Sequence, residues 1–273
     1  MINRNIVAKE LRQYRSSVLI WCVSLSSLVF MSMAFFPMLM QGETQQQLQV
    51  FLESSFMKTM MAAMGTNLEI LVNVLGFYAT RIAMFTAVLG SIFAINLGAK
   101  ILAREEREQT AEFLLSKPVS RVEVTASKLA AFFICLVILN LVHTAVGFLN
   151  IEIFKGESQY PVGAFLIFSF YLFLLTLLFG AIGFFLSILV KRGRALSNFG
   201  IGIVLGTYFL EIISNVTPEA EFIGYISPIK FLPRGVLDPG YGLEWPLLLY
   251  FLGISALLFG LSFLIYRKKD ILI

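Results

Sequence analysis

Residues 162–190 read VGAFLIFSFYLFLLTLLFGAIGFFLSILV, with no charged side chain among them. A helix needs about 20 predominantly apolar residues to cross a hydrocarbon core of about 30 Å. This stretch therefore predicts a membrane span, long enough to cross at a tilt. Its Phe-rich and almost polar-free composition suits a helix facing lipid. Five further runs of the same kind lie at 17–40, 76–99, 129–150, 196–214 and 245–266.

The full chain of 273 residues is 58% hydrophobic and 14% charged, with mean hydropathy +0.83. That composition excludes an ordinary soluble domain. It predicts an all-α integral membrane protein, with residues 1–273 forming one transmembrane domain of six helices. Cys22 and Cys135 fall in separate spans, so neither a disulfide framework nor a CxxC site is expected. The basic N-terminus precedes an apolar run longer than a signal-peptide core, and that segment is expected to be retained.

Lys and Arg in the connections set the orientation. One side collects Arg4, Lys9, Arg12 and Arg15, the six basic residues of 100–128, then Lys191, Arg192 and Arg194, and finally Arg267, Lys268 and Lys269. The other side holds Lys58, Lys155, Lys230 and Arg234. Both termini are expected in the cytoplasm, in a multi-pass protein of the cell membrane. The net charge of +4 is a topology signal of residues at membrane boundaries, and no nucleic-acid partner follows from it.

Between spans two and three, residues 100–128 read KILAREEREQTAEFLLSKPVSRVEVTASK, the polar exception in this chain. Glu105 to Ser116 reads as a helix, with Phe113 and Leu114 apolar beside Glu and Arg. Lys117-Pro118 breaks it, since Pro lacks a backbone N–H and disfavours helix at the preceding residue. Ser120-Arg121-Val122-Glu123 has capping-box spacing and starts a second helix that runs on into span three. Helix, corner, helix on the cytoplasmic side predicts a docking element for a soluble partner.

Residues 1–16 are expected to form a cytoplasmic interfacial helix, from a stripe of Val7, Leu11, Tyr14 and Val18 that leaves Lys9 and Arg12 aside. Outside, Met57, Met60, Met61 and Met64 recur at helical spacing. Packing is favoured over a Cu(I) site, because no Cys or His lies nearby. No metal site is expected elsewhere either. His143 is the single histidine and shares a face with Asn140, an arrangement that favours interhelical hydrogen bonds over chemistry.

Two charges lie within spans. Arg81 sits about 19 residues before Lys100, about 28 Å along a helix, and Glu211 sits about 17 residues after Arg194, about 26 Å. At similar depth they are expected to pair, or to line an outer gate. A cation at mid-bilayer would cost roughly 2.5–3.5 kcal/mol, whereas one near the boundary can snorkel outward. In span five, Gly202 and Gly206 make a GxxxG spacing, read equally as a dimer face or as packing within one chain. Residues 215–244 contain Pro218, Pro228, Pro233 and Pro239 among Phe222, Ile223, Tyr225, Ile226, Phe231 and Leu232. Short helices dipping into the outer interface are expected there, re-entrant in character.

The run Glu105 to Arg121 resembles the cytoplasmic loop of ABC transporter permeases of the type-2 exporter family. Thr110, Leu114, Leu115, Pro118, Val119, Ser120 and Arg121 match its pattern, while Gln109 stands where Gly is common. Lys9-Glu10-Leu11 and Arg267-Lys268-Lys269-Asp270-Ile271 are similar to the terminal signatures. The resemblance implies a dimeric permease, paired with a second copy or a related chain. It further implies that separate ABC ATPase subunits dock on the 100–128 loop through Glu105, Glu108, Thr110, Glu112, Phe113, Leu114, Leu115, Pro118 and Arg121. The chain has no G-x-x-x-x-G-K-[ST] phosphate loop, so ATP and Mg²⁺ are expected in that partner, with no cofactor, catalytic residue or enzymatic activity of its own. The rival readings are an ion-gradient-driven transporter, which would carry midplane carboxylates, and a membrane anchor recruiting a cytosolic partner.

Overall fold

A computed structural model describes residues 2–39, 54, 57, 59–61, 68–107, 119–189 and 193–268. Six long helices cross the molecule, each apolar and long enough to span a membrane. They are α1 (Arg4–Ala34), α2 (Ala83–Arg107), α3 (Arg121–Phe154), α4 (Val162–Leu189), α5 (Gly193–Val216) and α6 (Trp245–Lys268). Among the described residues there is no strand. The all-helical membrane architecture expected from hydropathy is the one observed.

α4 occupies the centre, and this corrects the lipid-facing expectation. Phe165, Phe168, Tyr171, Leu172, Leu174, Leu175, Phe179 and Phe184 are all fully buried. A helix that is apolar all round suits lipid and protein interior equally, so composition could not separate the two. Glycines decide it. A Cβ on Gly98 of α2 would lie 2.2 Å from the Gly180 carbonyl oxygen, and one on Gly183 would lie 2.1 Å from the Ile95 carbonyl oxygen. Small residues on both helices let the backbones touch, and α2 with α4 is the most extensive helix pairing in the molecule. Phe132 of α3 fills the space over Gly180, and Phe184 and Phe259 close an aromatic cluster around it.

α1 runs unbroken from Arg4 to Ala34, with Asn3 as its cap. No Pro or Gly interrupts those residues, so residues 4–16 run on into the first span as one rod. The buried face is Ile6, Glu10, Tyr14, Val18, Cys22, Leu25, Val29 and Met33. Tyr14 and Val18 are on it as expected, while Val7 and Leu11 are only partly buried at its margin. The opposite face exposes Leu19, Ile20, Val23 and Phe30, the kind of surface that lipid covers.

α2 is preceded without a break by a π-helical turn, Tyr78–Ile82, and by a short helix, Val74–Phe77, capped by Asn73. Between α5 and α6 the proline-rich chain forms three short helical pieces, Pro218–Ala220, Glu221–Gly224 and Pro228–Phe231. Ile229, Leu232 and Val236 anchor that segment inside, while Phe222, Tyr225 and Ile226 stand exposed. Phe231 meets Tyr250 of α6 at 4.5 Å between ring centroids.

Gly98→Val should destabilise the bundle by about 1–3 kcal/mol, because no rotamer change relieves a clash with a backbone oxygen. Gly253→Val, where a Cβ meets nothing within 4 Å, should stay within about 0.5 kcal/mol of the parent. Thermal unfolding of the two purified variants in detergent checks the contrast.

Candidate functional site

The 100–128 connection leaves the bundle from α2 and returns as α3. Where it returns, Ser120 caps α3, its hydroxyl accepting the Glu123 N–H at 3.1 Å. Arg121, partly buried, is the first residue of that helix. On the leaving side, Glu105 lies within α2. Glu108, Thr110, Glu112, Phe113, Leu114, Leu115 and Pro118 lie outside the described residues.

Beneath the connection, three helices are tied together through groups that hydropathy alone did not reveal. Lys128 of α3 and Glu10 of α1 are both fully buried and form an ion pair at 3.5 Å. The same ammonium donates a hydrogen bond to the Ile101 carbonyl oxygen of α2. One cation thus touches α1, α2 and α3 at once. Two further contacts surround it. The Asn3 N–H donates to the Ser127 hydroxyl at 2.8 Å, and the Arg104 guanidinium lies 5.8 Å from the centre of the Tyr14 ring. Burying two charges is costly unless they meet each other and further hydrogen bonds; here the two meet, and the ammonium gains the hydrogen bond to Ile101. One signal for it was available: Glu10 falls on the same helical stripe as Tyr14 and Val18, an acid where an apolar residue belongs.

At the opposite end of the bundle the expected pairing of Arg81 with Glu211 is not formed. Glu211, 3% exposed, forms its ion pair with Arg234, which the proline-rich segment carries back over α5. Residue spacing carries no information on azimuth, and it is azimuth that separates the two side chains. Arg81 is exposed and lines a groove with residues of α1, while its neighbour Thr80 is buried and lines the cavity at Glu211. Thr80, Met84, Tyr208, Ile229 and Arg234 line a cavity of about 10 Å³ around Glu211, room for about one water.

The segment that brings Arg234 is held by its own contacts. The Lys230 ammonium donates to the Ser214 hydroxyl at 3.3 Å, and lies 4.1 Å from the Tyr225 ring centre. Tyr241 donates to the Pro233 carbonyl at 3.0 Å, and Glu244 donates its N–H to Tyr171 of α4 at 2.7 Å. Burial, with Tyr171 and Glu244 beside it, pushes the Tyr241 hydroxyl well above the ordinary tyrosine range, so it stays a donor.

Asn140 and His143 both act between helices. Asn140 donates to Thr176 of α4 at 3.3 Å, and His143 Nε2 lies 3.4 Å from the Tyr78 hydroxyl. Gly147 makes room for that hydroxyl, since a Cβ there would approach it to 2.2 Å. Among the described residues no cluster of His, Cys, Asp or Glu could hold a metal ion. Met60 is exposed and Met61 buried, Met57 is intermediate, and Met64 lies outside the described residues. Gly202 and Gly206 are exposed, and a Cβ on either would meet nothing within 4 Å. Among the described residues nothing packs within 4 Å of those two positions.

Five apolar helices arranged around a central sixth, with the buried ion pairs of the described residues at the two ends, define a polytopic membrane bundle. Residues 4–271 match the family described as ABC-2 family transporter protein, and no curated protein matches the chain. The chain therefore belongs to the ABC-2 family of transporter proteins, as a membrane permease component of an ABC transporter.

Glu211→Gln and Arg234→Gln should be strongly non-additive, with a coupling of about 1–3 kcal/mol, because each leaves the other partner's charge buried. Glu211→Gln and Arg81→Gln should add within about 0.5 kcal/mol. Unfolding midpoints of the single and double variants in detergent decide between the two pairings.

Proposed function

We propose that this permease works as an exporter half, dimerising with a second copy or a related chain, and that separate ATPase subunits drive it by docking on residues 100–128. The observation that carries this reading is the three-helix tie at the base of that connection. A force applied to the loop reaches α2 at Ile101, α3 at Lys128 and α1 at Glu10 through one buried ammonium. Shifting a two-state permease from 1:99 to 99:1 takes about 5.5 kcal/mol of differential binding. A lever set on a packed base can deliver that; a slack tether cannot.

ATP and Mg²⁺ are bound by the docked ATPase in this scheme. Glu105, Glu108, Thr110, Glu112, Phe113, Leu114 and Leu115 form the contact surface, Pro118 sets the corner, and Arg121 starts the return helix. Both termini and the loop face the cytoplasm of a cell-membrane protein, and the proline-rich segment closes the outer side. The open α5 face of Phe199, Gly202, Gly206 and Phe209 supports the dimer contact, since its glycines face outward unused. An ion-gradient transporter would place a carboxylate near the midplane. The two buried carboxylates among the described residues, Glu10 and Glu211, lie at opposite ends of the bundle.

Purified in mild detergent, the chain should bring an ATPase subunit with it. Pro118→Gly combined with Val119→Gly should leave that ATPase hydrolysing ATP in reconstituted vesicles while solute movement falls at least about tenfold, a loss of about 1.4 kcal/mol of coupling. Full transport by the double variant, or transport by the isolated chain with no ATPase present, would overturn the scheme.

A further inference from the structure

Arg81 is the charge the transport scheme leaves unused. It sits on the π-helical turn before α2, exposed, at the mouth of a groove of about 460 Å³ between that turn and α1. Among the described residues, apart from Arg81 and Ser32 the groove is lined by Leu28, Met31, Phe35, Phe77 and Phe85. Among the described residues none forms an ion pair with Arg81, and Glu211 is occupied by Arg234.

Depth gives the groove a direction. Arg104 lies about 23 residues further along the same helical run, about 35 Å at 1.5 Å per residue. A hydrocarbon core is about 30 Å thick, so with Arg104 at one boundary Arg81 lies at the other, among headgroups. From there the apolar lining runs inward, to Phe85 one turn deeper on α2 and to Leu28 two turns below Phe35 on α1. The result is a cation at phosphate level above a slot for a hydrocarbon chain. π-helical turns inside α-helices often mark functional positions. Here the turn aims Thr80 at the interior and Arg81 at the groove.

We propose that this groove binds one anionic phospholipid, with its phosphate on the Arg81 guanidinium and an acyl chain along Leu28, Met31 and Phe85. A guanidinium presents paired N–H donors that match two phosphate oxygens. At headgroup depth the guanidinium has no ion-pair partner among the described residues, and a lipid phosphate supplies one. A zwitterionic lipid brings its own cation and competes less well. The site depends on the span assignment alone, so it stands or falls independently of any ATPase partner.

Native mass spectrometry of the full chain, released from detergent containing equal phosphatidylglycerol and phosphatidylcholine, tests this. The parent should retain one phosphatidylglycerol in preference to phosphatidylcholine, by about fivefold or more. Arg81→Gln should abolish the preference, Arg81→Lys should keep part of it, and Arg267→Gln, at the far end of α6, should leave it intact. Leu28→Trp, which fills the groove and keeps the cation, should also lower retention. It decides the matter if Arg81→Gln does not yield folded protein. Absence of preference in the parent, a preference that survives Arg81→Gln, or undiminished retention in Leu28→Trp overturns the proposal. So does displacement of the retained lipid by inorganic phosphate alone, which would make the site one for a free anion. Efficient cross-linking between copies through Ser32→Cys in phosphatidylglycerol bilayers would place a second chain in the groove and overturn it equally.

Discussion

Gly98, Gly180 and Gly183 bring the backbones of α2 and α4 into contact, and the rest of the molecule is arranged on that pair. In lipid there is little hydrophobic gain in putting one apolar helix against another, so close packing must supply the association. Glycine is what permits it. With α4 fixed against α2, the remaining faces of α4 receive α6 and α3, and α5 packs on α2. α1 closes against α3, its buried stripe running nearly the length of the helix. The surface left over includes the outer sides of α1, α3, α5 and α6, where exposed leucines, isoleucines and phenylalanines match a hydrocarbon solvent.

Among the described residues the buried ion pairs lie at the two ends of the bundle. At the loop-bearing end, Lys128 gathers α1, α2 and α3 around the base of the connection. At the far end, Glu211 holds the proline-rich segment through Arg234. A buried pair contributes little net stability compared with an apolar replacement, but removing one partner is severe. Both pairs therefore act chiefly to fix which pieces meet.

The spans, their number and the position of the return helix at Ser120 were legible from hydropathy and capping chemistry, because each is a local property of the chain. What was not legible depends on azimuth or on distant partners. Arg81 and Glu211 were placed at matching depth by residue spacing, yet a π-helical turn and a returning loop gave Glu211 a different cation. Lys128 reads as the last basic residue of a polar loop, and only the approach of α1 makes it an interior group. α4 reads as lipid-facing because lipid and protein interior select the same side chains. Its glycines were the better clue, since lipid contact does not require them.

α1 has a mechanical consequence of its own. As 31 residues at 1.5 Å each it is a strut of about 46 Å with no joint along it. Glu10 sits near one tip and Met31 and Phe35 near the other, so the anchorage below the polar connection and the wall of the groove beside Arg81 are parts of one stiff body. A tilt of that body about its middle moves the two tips in opposite directions. The width of the groove beside Arg81 is thereby tied to the position of the Glu10 end of the helix.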